Sequence, residues 1–145
     1  MPANHIPDGF HTVTPYLTCA PVGQVIDFLK RTFDATEIER MSGPDGRLMH
    51  AEVKVGDSIV MLGEPSGQWK PMPAALYLYV PDCDASYKRA LAAGGESISE
   101  PADQFYGDRH CGVRDRAGNL WWIATHKEDV APAEMKRRRE EMGKK

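Results

Sequence analysis

Hydrophobic and polar residues follow two different periods along the first half of the chain. Over residues 21–33 the apolar positions recur every three or four residues, which predicts a helix with Pro21 in its first turn. Residues 12–19 before it predict a strand, in which Pro15 indicates an edge or a bulge. Two turn signals, GPDG at 43–46 and VGDS at 55–58, divide residues 36–64 into three more strands.

The second half repeats this order of elements. ALYLYV at 75–80 predicts a strand, and the helix after it is opened by Asp82 or Asp84 and stopped by Gly94 and Gly95. Three further strands are predicted at 97–100, 109–114 and 120–125. GDSIVML at 56–62 also matches GNLWWIA at 118–124 at constant spacing. The pattern therefore predicts an α+β fold of two β-α-β-β-β modules that form a curved mixed sheet around a cavity.

The repeat also predicts the domain organisation. A single domain spans residues 1–145, with module one at about 11–64, a linker at 65–74 and module two at about 75–127. A C-terminal helix is expected at about 131–142, where Pro132 suits the first turn.

Composition narrows the classes of partner. A net charge of −3 and a pI near 5.9 argue against nucleic-acid binding, because a binding face for nucleic acid needs clustered Lys and Arg. No apolar run reaches the length of a membrane span and no signal-peptide pattern is present, so we expect a cytoplasmic protein that does not bind membranes. Cys19, Cys83 and Cys111 form no CxxC pair, which favours reduced thiols.

Four segments carry a resemblance to a known family: VTPYL at 13–17, IDFLKRTFDA at 26–35, HAEV at 50–53 and GVRDRAGNLWWIATH at 112–126. Over residues 11–127 the chain resembles the vicinal oxygen chelate superfamily of glyoxalases, bleomycin resistance proteins and extradiol dioxygenases, and within it the PhnB-like branch. The usual D-P-x-G-N turn of that branch has Arg116 in place of proline. The resemblance implies the doubled module, a homodimer and, in the enzymes of the superfamily, a divalent metal.

The family's metal ligands, counted from shared landmarks, correspond here to Thr14, Val60, Ala75 and Trp122. None of these side chains suits a catalytic divalent ion, which needs about three imidazole or carboxylate groups. A slip of one residue offers Tyr16, Met61, Leu76 and Trp121 instead, which is no better. We therefore expect no metal, no cofactor and no catalytic residue at the inherited site.

Two alternatives stay open on the sequence. A displaced metal site of His50, Glu52 and His110 would make the protein a metal-dependent lyase, isomerase or dioxygenase of the same superfamily. A drug-sequestering resistance protein with an acidic surface is a third possibility. Motifs for dinucleotide binding, phosphoryl transfer and serine hydrolysis are absent.

Alternation along the strands predicts the lining of the cavity. If Val60 and Trp122 mark the concave face, that face also carries aromatic and polar side chains, and these suit a small-molecule ligand with a flat aromatic or apolar body. The predicted ligand-binding residues are Tyr16, Glu64, Tyr77 and Trp122, with His50 and Arg114 as polar additions. The alternative is that the aromatic residues simply fill the barrel. Trp121 and Ile123 are expected in the core, residues 115–119 in a turn, and His110 and Cys111 on opposite strand faces.

Overall fold

The structure is a computed structural model that describes residues 2–144, and it contains the predicted repeat. Module one consists of β1 (Tyr16–Thr18), α1 (Val22–Phe33), β2 (Thr36–Ser42), β3 (Leu48–Val55) and β4 (Ser58–Gly63). Module two consists of β5 (Ala75–Tyr79), α2 (Cys83–Ala92), β6 (Glu96–Asp103), β7 (Asp108–Arg114) and β8 (Leu120–His126). The C-terminal helix is α3 (Pro132–Met142).

Each module forms a four-stranded mixed sheet, in the orders β1-β4-β3-β2 and β5-β8-β7-β6. The first strand of each module crosses over through its helix and pairs in parallel with the last strand, while the other pairs are antiparallel. The α+β fold class is confirmed. β1 is shorter than predicted, because the chain enters the sheet only after Pro15, whose carbonyl accepts a hydrogen bond from the Met61 amide.

The module helices α1 and α2 form where their sequences predict them. The apolar positions of α1 are buried along one face, as its period predicts. Asp82 is the N-cap of α2, where its carboxylate accepts a hydrogen bond from the Ala85 amide at 3.2 Å. None of the helices formed by residues 2–144 has the length and apolar character that crossing a bilayer requires.

One hydrophobic core joins both modules. Leu17 and Val53 of the first sheet belong to the same cluster of buried side chains as Ile123 of the second. The Trp121 ring on β8 is fully buried and lies 6.2 Å from the Phe28 ring of α1, so the helix of module one packs against the sheet of module two. The core positions predicted for Trp121 and Ile123 are confirmed.

The sheet faces that point away from this core are called the open faces here. In module one the open face carries Tyr16 and Met61, which are partners in the β1–β4 register. In module two it carries Tyr77 and Trp122, which are partners in the β5–β8 register. Tyr16 is 51% exposed and Tyr77 40%, so these two rings do not fill a barrel core.

The predicted concave-face position of Val60 on β4 is wrong. Val60 is only 4% exposed and pairs with Val53 in the core, and Leu62 is buried with it. The cause is turn length: only Gly56 and Asp57 separate the paired residues Val55 and Ser58, whereas five residues separate Arg114 from Leu120. The residue four positions after Gly56 is Val60, which faces the core, whereas the residue four positions after Gly118 is Trp122, which lies on the open face.

Candidate functional site

A buried carboxylate begins β7 on the open face of module two. Asp108 is 3% exposed and follows Gly107, where a Cβ atom would collide with the carbonyl oxygen of Glu128. Its Oδ2 accepts hydrogen bonds from the hydroxyls of Tyr77 at 2.8 Å and Tyr79 at 3.0 Å. Its Oδ1 lies 2.8 Å from Nδ1 of His126. Three side chains on two neighbouring strands thus converge on one carboxylate, which compensates its burial.

The electrostatics of this cluster follow from these contacts. Burial alone raises the pKa of Asp108, but the hydrogen bonds from His126, Tyr77 and Tyr79 outweigh it and the pKa lies below its ordinary value. Hydrogen bonds to Asp108 and then to Asp129 raise the pKa of His126. The cluster is therefore an ionised carboxylate beside an imidazole that favours its protonated form.

Both tyrosine hydroxyls are held in the neutral state. Burial, followed by hydrogen bonds with Tyr106 and Asp108, raises the pKa of Tyr77. The hydrogen bond to Asp108 is the main cause of the raised pKa of Tyr79. A phenol beside a carboxylate keeps its proton, because a phenolate there would face a like charge.

Next to Asp108 lies a second group of polar side chains. Nδ1 of His110 is 3.3 Å from the Tyr77 hydroxyl and 3.2 Å from the Tyr106 hydroxyl, and these hydroxyls are 3.4 Å apart. The tautomer of His110 decides which of these atoms donates. Because the single proton of Tyr77 goes to Asp108, the tautomer that carries a proton on Nδ1 of His110 links the imidazole through the Tyr77 oxygen to Asp108.

Beside these polar groups lies a series of aromatic rings. The rings of His110 and Trp122 are nearly parallel, with centroids 5.4 Å apart and an interplanar angle of 23°. The indole lies over Gly112, where an added Cβ would come within 2.6 Å of Cζ3 of Trp122. Tyr77 extends the series, with its centroid 5.8 Å from His110 and 5.4 Å from Tyr79. We call Trp122, His110, Tyr77 and Tyr79 the aromatic platform.

The predicted ligand-binding residues lie in different parts of the fold. Tyr77 and Trp122 come together on the aromatic platform. Tyr16 and His50 lie together on the open face of module one, with ring centroids 5.8 Å apart, and Nε2 of His50 is 3.0 Å from the Glu52 carboxylate.

Of the other two predicted residues, Glu64 lies apart from the platform, whereas Arg114 lies on the same open face, two residues beyond the register partner of Trp122. Glu64 follows β4, where its carboxylate accepts a hydrogen bond from Arg47 at 3.2 Å and lines a cavity of about 330 Å³. Neither Tyr16 nor Trp122 lines that cavity. Arg114 ends β7, four residues beyond His110, which is about 13 Å along a strand.

The sequence missed Asp108 and Tyr106. The strand was predicted to begin at residue 109, whereas β7 begins at Asp108. Asp108 is therefore the first of the alternate residues, with His110 and Gly112, that share one face of the strand. That alternation was the available signal. His110 and Cys111 lie on opposite faces as predicted, and Cys111 is buried, with a pKa raised to about 12 mainly by burial.

The residues present do not fit the divalent metal of the superfamily's enzymes. The open-face side chains at the inherited strands are Tyr16, Met61, Tyr77 and Trp122, which supply no imidazole or carboxylate. His110 contacts Tyr77 and Tyr106 in the second sheet, whereas His50 and Glu52 pair in the first. Across residues 2–144, no three His, Cys, Asp or Glu side chains are grouped in a way that could hold an ion.

The platform is an open surface in the single chain. Of four surface cavities of about 350, 330, 570 and 410 Å³, the one of 570 Å³ is lined in part by Asp108 and the other three lie away from this cluster. Among residues 2–144, none of these four is lined by Tyr16, Tyr77 or Trp122. A ligand on the platform would therefore lie against one wall unless a second surface covers it.

Comparison with known sequences gives one family. The model of the Glyoxalase/Bleomycin resistance protein/Dioxygenase superfamily matches residues 10–123. A protein of Mycobacterium bovis, described as uncharacterised, is 36% identical over 120 residues, covering 75% of this chain and 79% of the relative. A protein of Mycobacterium tuberculosis strain H37Rv, also described as uncharacterised, is 36% identical over 120 residues, covering 75% and 71%.

Solved structures share the fold. TioX from Micromonospora sp. ML1 is 25% identical with a TM-score of 0.68, covering 80% of this chain and 98% of its own. TnmS3 from Streptomyces sp. CB03234, described as an antibiotic binding protein, is 20% identical with a TM-score of 0.63, covering 88% and 99%. At the latter identity the likeness concerns the fold alone.

Proposed function

Because this chain belongs to the glyoxalase/bleomycin resistance protein/dioxygenase superfamily, we propose that it is a metal-free small-molecule binding protein whose ligand lies on the aromatic platform of module two. The observation that carries this proposal is the contiguous series of Trp122, His110 and Tyr77 rings on the sheet face where Tyr77 and Tyr79 are exposed. Polar atoms of Tyr79 and Tyr106 lie at its edge. This combination suits a ligand with a flat aromatic body and one or two hydrogen-bonding groups.

The expected affinity is moderate. Each aromatic stack adds about 0.5 to 1.5 kcal/mol beyond buried area, and the platform offers two or three. After the cost of association is subtracted, a dissociation constant of roughly micromolar is expected for a fused bicyclic ring.

Calorimetric titration of naphthalene derivatives tests the proposal. Trp122→Ala removes the largest ring of the platform and should weaken binding of 2-naphthol about tenfold or more. Trp69→Ala is the matched control, since Trp69 lies exposed in the linker, and it should bind as the wild-type protein does. Wild-type protein that binds no naphthalene derivative, or a Trp122→Ala variant that binds as well as wild type, overturns the proposal.

A drug-sequestering role is the narrower form of this proposal. TnmS3 binds an antibiotic by its own description, and for this chain the same role has the support of the shared fold and the platform. Expression of the chain in a sensitive bacterium should then raise the inhibitory concentration of a flat aromatic antibiotic. Equal inhibition with wild type and Trp122→Ala counts against sequestration while leaving small-molecule binding in place.

Three further assignments remain proposals. A homodimer is supported by the exposed side chains on both open faces, Tyr16 and Tyr79 among them. Membership of the PhnB-like branch is supported by the segments at 13–17, 26–35 and 112–126. A cytoplasmic location is supported by Cys19, Cys83 and Cys111, which are all free and buried.

A further inference from the structure

The tyrosine hydroxyls of the platform point their protons at a carboxylate. A phenol has a single proton to donate. Tyr77 donates its proton to Oδ2 of Asp108 at 2.8 Å and Tyr79 donates to the same oxygen at 3.0 Å. Both phenolic oxygens can therefore offer only lone pairs to a molecule on the platform.

This orientation is held by burial. Asp108 is 3% exposed, so a hydroxyl that turns away leaves a buried carboxylate without one of its donors, which is costly. His126 occupies the other oxygen of the carboxylate at 2.8 Å. Hydrogen bonds to an ionised acceptor are about twice as strong as neutral ones, which favours this arrangement further.

The two oxygens differ in access. The Tyr77 oxygen also lies within 3.4 Å of the Tyr106 hydroxyl and 3.3 Å of His110, so its lone pairs have neighbours. Tyr79 is 65% exposed, and its hydrogen bond to Asp108 uses the proton and leaves the oxygen open. The Tyr79 oxygen is thus the acceptor that a ligand on the platform can reach.

We propose that the platform selects aromatic ligands that carry a hydrogen-bond donor, a phenolic O–H or an N–H, over ligands that carry only an acceptor. Asp108 determines this selectivity by orienting the hydroxyls of Tyr77 and Tyr79, and the Tyr79 oxygen receives the donor. Asp108 is a positioning residue, since its own oxygens are occupied by protein groups. The inference rests on the proposed function, because it concerns the ligand of the same platform.

Acceptor groups meet an unfavourable surface here. A ketone, ether or carboxylate oxygen placed against Tyr79 faces lone pairs without a proton. A carboxylate also meets the charge of Asp108 and of Asp129, which binds Nε2 of His126 at 2.7 Å. The site therefore disfavours acidic ligands even though the pKa of His126 is raised by its hydrogen bonds to Asp108 and Asp129.

Matched naphthalenes test the selectivity. Calorimetric titration should give 2-naphthol about tenfold tighter binding than 2-methoxynaphthalene, which has the same ring and no donor. The isostere 2-ethylnaphthalene controls for size and should bind no more weakly than the methoxy compound. Equal affinity of 2-naphthol and 2-methoxynaphthalene for the wild-type protein overturns the selectivity but leaves the proposed function standing.

Two variants locate the cause. Tyr79→Phe removes the acceptor and should reduce the preference for 2-naphthol to less than about threefold, with binding of 2-ethylnaphthalene unchanged. Asp108→Asn replaces one acceptor oxygen with an NH₂ donor, which turns a tyrosine proton toward the ligand and should raise the affinity of 2-methoxynaphthalene. Thermal unfolding checks that each variant is folded.

The control is Tyr87→Phe, because the Tyr87 hydroxyl donates to Ser97 away from the platform. It should keep the full preference for 2-naphthol. If Tyr79→Phe and Asp108→Asn also keep it, the inference is wrong. A wild-type protein that binds none of the three naphthalenes overturns the proposed function, and this inference with it.

Discussion

Two buried aspartates show how one side chain serves different purposes. Asp115 is 5% exposed and turns all its acceptors inward, binding the indole N–H of Trp121 at 2.8 Å and the Asn119 amide group at 3.0 Å. Its other oxygen accepts hydrogen bonds from the backbone amides of Ala117 and Asn119. Asp108, in contrast, accepts hydrogen bonds from Tyr77 and Tyr79, whose rings lie on the open face. Asp115 therefore stabilises the turn before β8, whereas Asp108 sets the polarity of a surface.

Replacing Asp115 should cost stability and spare the platform. Asp115→Ala leaves the buried indole N–H of Trp121 and the amide of Asn119 without acceptors, so we expect the free energy of unfolding to fall by about 2–4 kcal/mol. Urea unfolding measures this change. Arg116→Ala in the same turn is the control and should change the free energy by less than about 0.5 kcal/mol, because its side chain is exposed. Equal losses in both variants would contradict the role of Asp115.

The imidazole of His126 should make stability depend on pH. The pKa of His126 is raised in the folded state, mainly by the hydrogen bond to Asp108 and next by that to Asp129. The imidazole therefore stabilises the fold fully below its unfolded pKa of about 6.5, and this stabilisation is lost as pH rises through the folded pKa. Asp108 stays ionised over this window, since its pKa is lowered. We expect His126→Gln to destabilise the protein more at about pH 6 than at about pH 9.

Urea unfolding at both pH values measures the effect. The matched control is His5→Gln, which changes the same residue type at an exposed position of the N-terminal segment. A destabilisation by His126→Gln that is equal at the two pH values would show that the imidazole acts by packing alone.

At the scale of strands, pairing register decides which side chains meet. The order of strands and helices follows from residue periods, and the turn at 115–119 and the N-cap Asp82 follow from local chemistry, so these were predicted. The face of Val60 was not, because it depends on the lengths of two turns relative to each other. The convergence on Asp108 was missed for a related reason, since it joins β5, β7 and β8 through a register that no local pattern contains.

The pairing of β7 with β8 also sets the geometry of the platform. Gly112 lies opposite Trp122, and the absence of a side chain at Gly112 lets the indole lie against the strand. In Gly112→Ala the new methyl carbon would come within 2.6 Å of the ring, so the ring must move off the sheet. We expect binding of 2-naphthol to weaken about tenfold, with little loss of strand stability, because alanine suits a strand at least as well as glycine.

Gly23→Ala provides the comparison for this variant. An added Cβ at Gly23 meets nothing within 4 Å, and Gly23 lies on α1, in the other module. Titration should therefore give wild-type affinity for this variant. Unchanged affinity in Gly112→Ala would mean that the flat position of Trp122 is not needed for the ligand.

The whole molecule has one core and two uncovered sheet faces. α1 packs against Trp121 of the second sheet, so the modules are joined through their helix-facing sides and their open faces have no protein partner within residues 2–144. Exposed apolar side chains occur on both faces: Tyr16, Met41, Tyr77 and Tyr79. Exposed apolar groups of this kind mark contact surfaces for ligands or for other protein chains. A second copy is the partner that the family resemblance implies.

We expect sedimentation to give a mass near twice 16.1 kDa, with the open faces as the interface. Met41 pairs with His50 in the β2–β3 register and is 51% exposed, so Met41→Asp places a charge on the open face of module one and should raise the dimer dissociation constant at least about tenfold. Met142→Asp makes the same change on α3 and should leave the dimer intact. A dimer broken by Met142→Asp and not by Met41→Asp would move the interface to α3, and a wild-type mass of 16.1 kDa would refute the dimer.

Since a partner chain over the open faces would also enclose the platform, the monomeric variant should bind 2-naphthol more weakly than wild type does.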